Sequence, residues 1–122
     1  IPGTLASIQD KLIADPDVDG ILALNPNIAD AAMQAIVAVG GSQKLATFDL
    51  SPDVLEAIEA GKMRFAGDQQ QYLQGYLPVV FLYLYNANAN TVGGGLPVLT
   101  GPGIVDASNA GAVKDLAAAG TR

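Results

Sequence analysis

The chain has 122 residues, 50% of them hydrophobic, which suffices for one domain with a buried core. Twelve acids against six bases leave a net charge of −6, so there is no basic stripe to neutralise phosphates and nucleic acid is not an expected partner. Cysteine and histidine are both absent, which excludes disulfides, thiolate chemistry and the Ser-His-Asp and Cys-His arrangements, and removes the commonest transition-metal ligand. No metal or other cofactor is expected.

The opening IPGTLASIQDKL lacks a basic n-region and a long apolar stretch, so it reads as mid-domain sequence rather than a signal peptide or membrane anchor. Leu5, Ile8 and Leu12 at i, i+3 and i+7 predict a helix from about Thr4 to Asp15, stopped by Pro16. Asp15, Asp17 and Asp19 alternate like calcium ligands, but the glycine and terminal glutamate of an EF-hand loop do not follow, and a solvated turn is expected. Gly20 to Leu24 is a continuous apolar run, the pattern of a strand covered on both faces. Asn25-Pro26-Asn27 punctuates before a helix from about Ile28 to Val39, closed by Gly40-Gly41.

Leu45 to Phe48 is the second predicted strand. Ser51-Pro52-Asp53 then signals a helix start with Val54, Leu55 and Ile58 on its buried face and Gly61 at its end. A third strand spans about Met63 to Gly67, and a long helix runs from about Gln71 to Ala87 with Gly75 and Pro78 in its first turns, where a kink is expected. Its most apolar part, YLPVVFLYLY, is too short to cross a bilayer, which takes ~20 residues, and reads as a buried helix. Tyr72, Tyr76, Tyr83 and Tyr85 accordingly read as helix packing with wet hydroxyls. Residues 88–107 are turn-rich; Gly93-Gly94-Gly95 lacks the strand-to-helix context of a phosphate loop, and a short fourth strand is expected near Pro97 to Leu99. A last helix covers about Ala110 to Ala118.

Strands alternating with helices define an α/β fold, a three-layer sandwich around a mostly parallel, doubly wound sheet, since strand-helix-strand crossovers are right-handed. Three predicted runs each end on a hydrogen-bonding side chain: Asn25, Asp49, and the Asp68-Gln69 pair. In such sheets these positions gather at the carboxyl edge, where ligands bind. Each has a plainer alternative. Asn25 suits a helix cap, Asp49 likewise, Gln69 belongs to a solvated polar triplet, and Asp68 reads equally as a solvated or hinge-facing carboxylate.

The runs DGILALNPNIADAA, ATFDLSPDVLEAIEAGKM and AGDQQQYLQGYLPVVFL resemble the C-terminal lobe of periplasmic sugar-binding proteins of the ribose-binding type, the solute receptors of ABC importers. The resemblance covers about Leu5 to Asp106; where the family often reads DQQPY, this chain has Gln71 in place of the proline. It implies a single partial lobe over residues 1–122, lacking the N-terminal lobe and the opening strand and helix of its own lobe, with 88–107 near the hinge. It also implies that Asn25, Asp49 and Gln69 bind a monosaccharide-like polyol, Asp49 accepting from a sugar diol. The same resemblance implies an ABC permease as partner, a periplasmic or extracytoplasmic, cell-surface attached location, and no enzymatic activity. Uncovered neighbours such as Ile21, Leu22 and Leu24 lead to an expected homo-oligomer. The competing reading is a small α/β hydrolase using Asp49 and Asp68 as a carboxylate pair on a glycoside. Nothing in the sequence marks one of the two as buried and apolar, as an acid–base division needs.

Overall fold

The computed structural model describes residues 2–122, and the strands fall where continuous apolar runs meet turn signals. Helix α1 (Pro2–Ala14) leads into β1 (Gly20–Ala23), α2 (Pro26–Ala38), β2 (Lys44–Phe48), α3 (Pro52–Glu59), β3 (Phe65–Asp68), α4 (Gln71–Asn88), β4 (Gly103–Asp106) and α5 (Ala110–Ala118). The sheet order is β1-β2-β3-β4. β1, β2 and β3 run parallel, with Ala23 beside Thr47 and Thr47 beside Ala66, and β4 returns antiparallel with Val105 beside Ala66. The sheet is therefore mostly parallel, as expected. The fourth strand is not at Pro97 to Leu99, which is irregular and leaves Leu99 82% exposed. It forms at Gly103–Asp106, where the β-branched pair Ile104-Val105 follows Pro102 and can donate a full ladder to β3.

Because β1, β2 and β3 are adjacent in chain order, right-handed crossovers set α2 and α3 on the same face of the sheet. On that face α1 packs on α2, α2 meets α3, and α3 packs on α5. The core between this layer and the sheet comprises Ala23, Leu45, Ala66 and Val105 from the strands and Ala29, Ala32, Val54, Leu55, Ile58 and Ala110 from the helices. Small residues dominate α2, so the helix approaches the sheet closely. The opposite face carries Leu22, Phe65 and Ile104, all left open to solvent by the described residues.

Two expectations for α4 differ from the structure. The helix runs unbroken through Pro78, and none of its residues is buried. Tyr72, Tyr76, Tyr83 and Tyr85 are exposed, so they are not core packing within this chain; Tyr72 and Tyr76 merely stack on each other, ring centroids 6.0 Å apart. The sequence pattern predicts burial because the helix is predominantly apolar. Its first turns instead stand at the carboxyl edge of the sheet, beyond the helical layer. Among the described residues no helix is long and apolar enough to cross a membrane. The Asp15 end of the acidic turn after α1 is engaged by Lys11, Nζ to Oδ2 at 2.8 Å.

Candidate functional site

Three strand ends converge at the carboxyl edge of the parallel sheet. Asn25 follows β1 in extended backbone, and its Oδ1 accepts the Ile28 N–H at 3.0 Å, so the cap function holds for the oxygen. The Asn25 amide nitrogen makes no hydrogen bond among the described residues. Asp49 leaves β2 with φ +66°, a left-handed conformation that aspartate tolerates better than most residues, while its N–H still donates to the Gly67 carbonyl at 3.0 Å. Helix α3 is capped by Ser51, whose Oγ accepts the Val54 N–H at 3.1 Å, so the Asp49 carboxylate is not spent on a cap. Gln69, just past β3, donates its Nε2–H to Asp49 Oδ1 at 2.6 Å.

Asn25 and Asp49 each lie two residues past the paired Ala23 and Thr47, at the ends of adjacent parallel strands. The edge thus offers an amide donor from Asn25, an acceptor from Asp49 Oδ2 and an acceptor from Gln69 Oε1. That combination suits a neutral ligand with adjacent hydroxyls, each able to donate and accept. The N-termini of α2 and α3 lie at the same edge and add positive partial charge beside the Asp49 carboxylate. An open cavity of about 860 Å³ lies between Leu24, Phe48 and Gln69 on the sheet side and Leu77, Phe81 and Thr100 on the other; of the three site residues only Gln69 lines it, while Asn25 and Asp49 do not.

Asp68 stands apart from this set. It is wholly buried, its Oδ1 accepts the Gln70 N–H at 2.8 Å, and its Oδ2 accepts from Arg122 Nε at 2.7 Å. With both oxygens engaged, Asp68 neither faces solvent nor forms a catalytic carboxylate pair with Asp49, and the glycosidase reading has no second carboxylate. The sequence did not single out Gln70, Gln74, Thr100 or Arg122. Gln70 Nε2 donates to the Thr100 carbonyl at 2.5 Å, Thr100 Oγ1 donates to the Gln69 carbonyl at 2.8 Å, and Gln74 Nε2 reaches that carbonyl at 3.3 Å. The polar triplet Gln69–Gln71 opening an apolar helix was the available signal; nothing local announced a partner thirty residues away.

A second acidic pair lies where α2 faces α3. Asp30 has a buried Oδ1 without a partner, and burial, then the nearby Asp53 charge, raises its carboxyl above the usual range. A raised folded-state value means that the stability term is fully present below the unfolded value and is lost as pH rises through the folded one. Asp30→Asn should therefore raise the melting temperature at neutral pH, the gain shrinking toward zero as pH falls through the carboxylate range. Equal or lower melting temperature at neutral pH would show that the group is solvated in the folded state.

A mostly parallel sheet with polar groups at its carboxyl edge is the arrangement in which open α/β folds bind ligands. The model of the periplasmic binding protein domain matches residues 4–89, and the chain belongs to that family. It is 31% identical over 87 residues to the xylose/arabinose-binding protein of Sulfolobus acidocaldarius, covering 66% of this chain and 22% of that protein. Among solved structures, a carbohydrate transporter from Acidothermus cellulolyticus in complex with myo-inositol is 44% identical with a TM-score of 0.92, over 99% of this chain and 42% of that one. The Caulobacter myo-inositol binding protein bound to myo-inositol is 25% identical with a TM-score of 0.74, over 89% of this chain and 38% of that one. The chain spans under half the length of each of these relatives.

Proposed function

We propose that this chain is part of the C-terminal lobe of a sugar or cyclitol receptor serving an ABC importer, and that it closes on a neutral polyol with a second lobe. The observation that carries the reading is the Asp49 carboxylate at the carboxyl edge of the sheet, held through one oxygen by the Gln69 amide at 2.6 Å, with the second oxygen making no hydrogen bond among the described residues. Myo-inositol in the two solved relatives and the pentoses named for the curated one support a ligand of this chemistry. Asn25, Asp49 and Gln69 hold it from this side, and no step of catalysis is assigned. The location is extracytoplasmic in keeping with the family, with attachment at the cell surface and docking on a permease as further parts of the proposal.

The predominantly apolar helix α4 and the open sheet face at Leu22, Phe65 and Ile104 support a larger parent. In it the remaining lobe covers α4, a further strand and helix cover β1 and the open face, and residues 88–107 lie near the hinge. Calorimetric titration of the full-length receptor with myo-inositol, D-xylose and L-arabinose tests the function: saturable micromolar binding of one of them is expected, and no binding of any polyol overturns it.

The isolated 122 residues should behave differently. Three side chains at a net ~0.5–3 kcal/mol each, set against the cost of association, leave binding no tighter than roughly millimolar. The uncovered β1 edge should also drive the fragment into dimers or larger species at micromolar concentration, visible by sedimentation. Micromolar affinity in a clean monomer would show that these residues form a complete site.

A further inference from the structure

We infer that Asp68, though remote from the ligand edge, is the positioning residue for Gln69, and that its ion pair with Arg122 couples the segment after α5 to ligand affinity; this rests on the polyol-binding reading above. Gln70 has φ +57° and ψ +59°, a left-handed turn that a non-glycine residue adopts only when its surroundings impose it. The imposing contact is the bond from the Gln70 N–H to Asp68 Oδ1, which closes an Asx-type turn around Gln69. The direction in which Gln69 leaves the backbone, and so its meeting with Asp49, follows from that turn.

The turn is braced from its other side. The returning segment lies so close that a Cβ on Gly101 would come within 2.8 Å of the Asp68 carbonyl oxygen, which requires glycine there. Thr100 is tied to both Gln69 and Gln70 by the bonds described above. The carboxylate at the centre of this arrangement is fully buried, and the one cation on it among the described residues is Arg122, 54 positions away in sequence and only partly exposed. Removing that cation leaves a buried charge uncompensated, which drives the carboxylate to turn toward water. That movement loosens its hold on the Gln70 N–H and releases Gln69.

The test uses the full-length receptor and a titration of the polyol that the wild type binds. Arg122→Gln should weaken binding about two- to tenfold, the value of one neutral hydrogen bond, and Arg122→Lys should restore most of it. A merely structural role predicts the same loss on any background. The positioning role predicts that the loss disappears when Gln69→Ala is already present, because the affected contact is gone. An unchanged affinity in Arg122→Gln, or an equal loss on the Gln69→Ala background, overturns the inference while leaving the polyol site standing. A wild type that binds no polyol overturns the proposed function itself, and the positioning role with it. Asp68→Ala, which removes the acceptor for the Gln70 N–H, gives a second variant with the same expected dependence on Gln69.

Discussion

Replacing Asp49 by alanine in the full-length receptor is expected to weaken polyol binding by about 1.5–3 kcal/mol, the range for a hydrogen bond to a charged group, or roughly ten- to 150-fold in Kd. The loss should fall on binding rather than folding, since Ser51 and not Asp49 caps α3, and the Asp49 N–H bond to Gly67 survives the substitution. Asp49→Asn supplies the control for the left-handed backbone at this position, because asparagine adopts it readily yet removes the charge. Both variants should lose affinity by calorimetry, Asp49→Asn with a melting temperature near the wild type and Asp49→Ala with a modest fall from the strained backbone. Unchanged affinity in both would remove Asp49 from the site and leave Asn25 and Gln69 without a charged acceptor.

The largest effect on stability is expected at Ile58. It is fully buried on α3 in the cluster with Leu45, Leu55 and Val105. Ile58→Ala deletes three carbons and leaves a cavity against a sheet that cannot collapse onto it, a cost of about 2–5 kcal/mol. Against a typical domain stability of about 5–15 kcal/mol this is a large fraction, and the midpoint of urea denaturation should fall accordingly. A cost below about 1 kcal/mol would mean that α3 does not seal the sheet as described.

Local chemistry made the first three strands and the helices between them readable. Apolar runs bounded by Asn-Pro and Ser-Pro fixed β1, α2, β2 and α3 to within a few residues, and Ser51 caps its helix as its sequence context implies. The strand ends that carry Asn25, Asp49 and Gln69 were legible for the same reason: a polar residue terminating a buried strand in a parallel sheet has one edge to occupy. Long-range partnerships were not legible. β4 is defined by pairing with β3 rather than by its own composition, so the Pro97 to Leu99 stretch is the more conspicuous in sequence and the wrong choice. Asp68 reads as a surface carboxylate until Arg122 is brought beside it. The tyrosines of α4 read as core because periodicity reports that a helix is apolar, not which chain lies against it.

The antiparallel return of β4 also fixes a sequence of events. The chain leaves the sheet at Asp68 and comes back at Gly103, so a polypeptide emerging from the ribosome exposes a β3 without its outer neighbour throughout the synthesis of α4 and the turn-rich stretch. At about 5–20 residues per second that interval lasts seconds, far longer than a hairpin takes to form. The carboxylate of Asp68 gains its counter-ion later still, once Arg122 has appeared. Until then the Asp68 carboxylate stays hydrated, as in any unfolded chain, and its burial waits for the cation that compensates it.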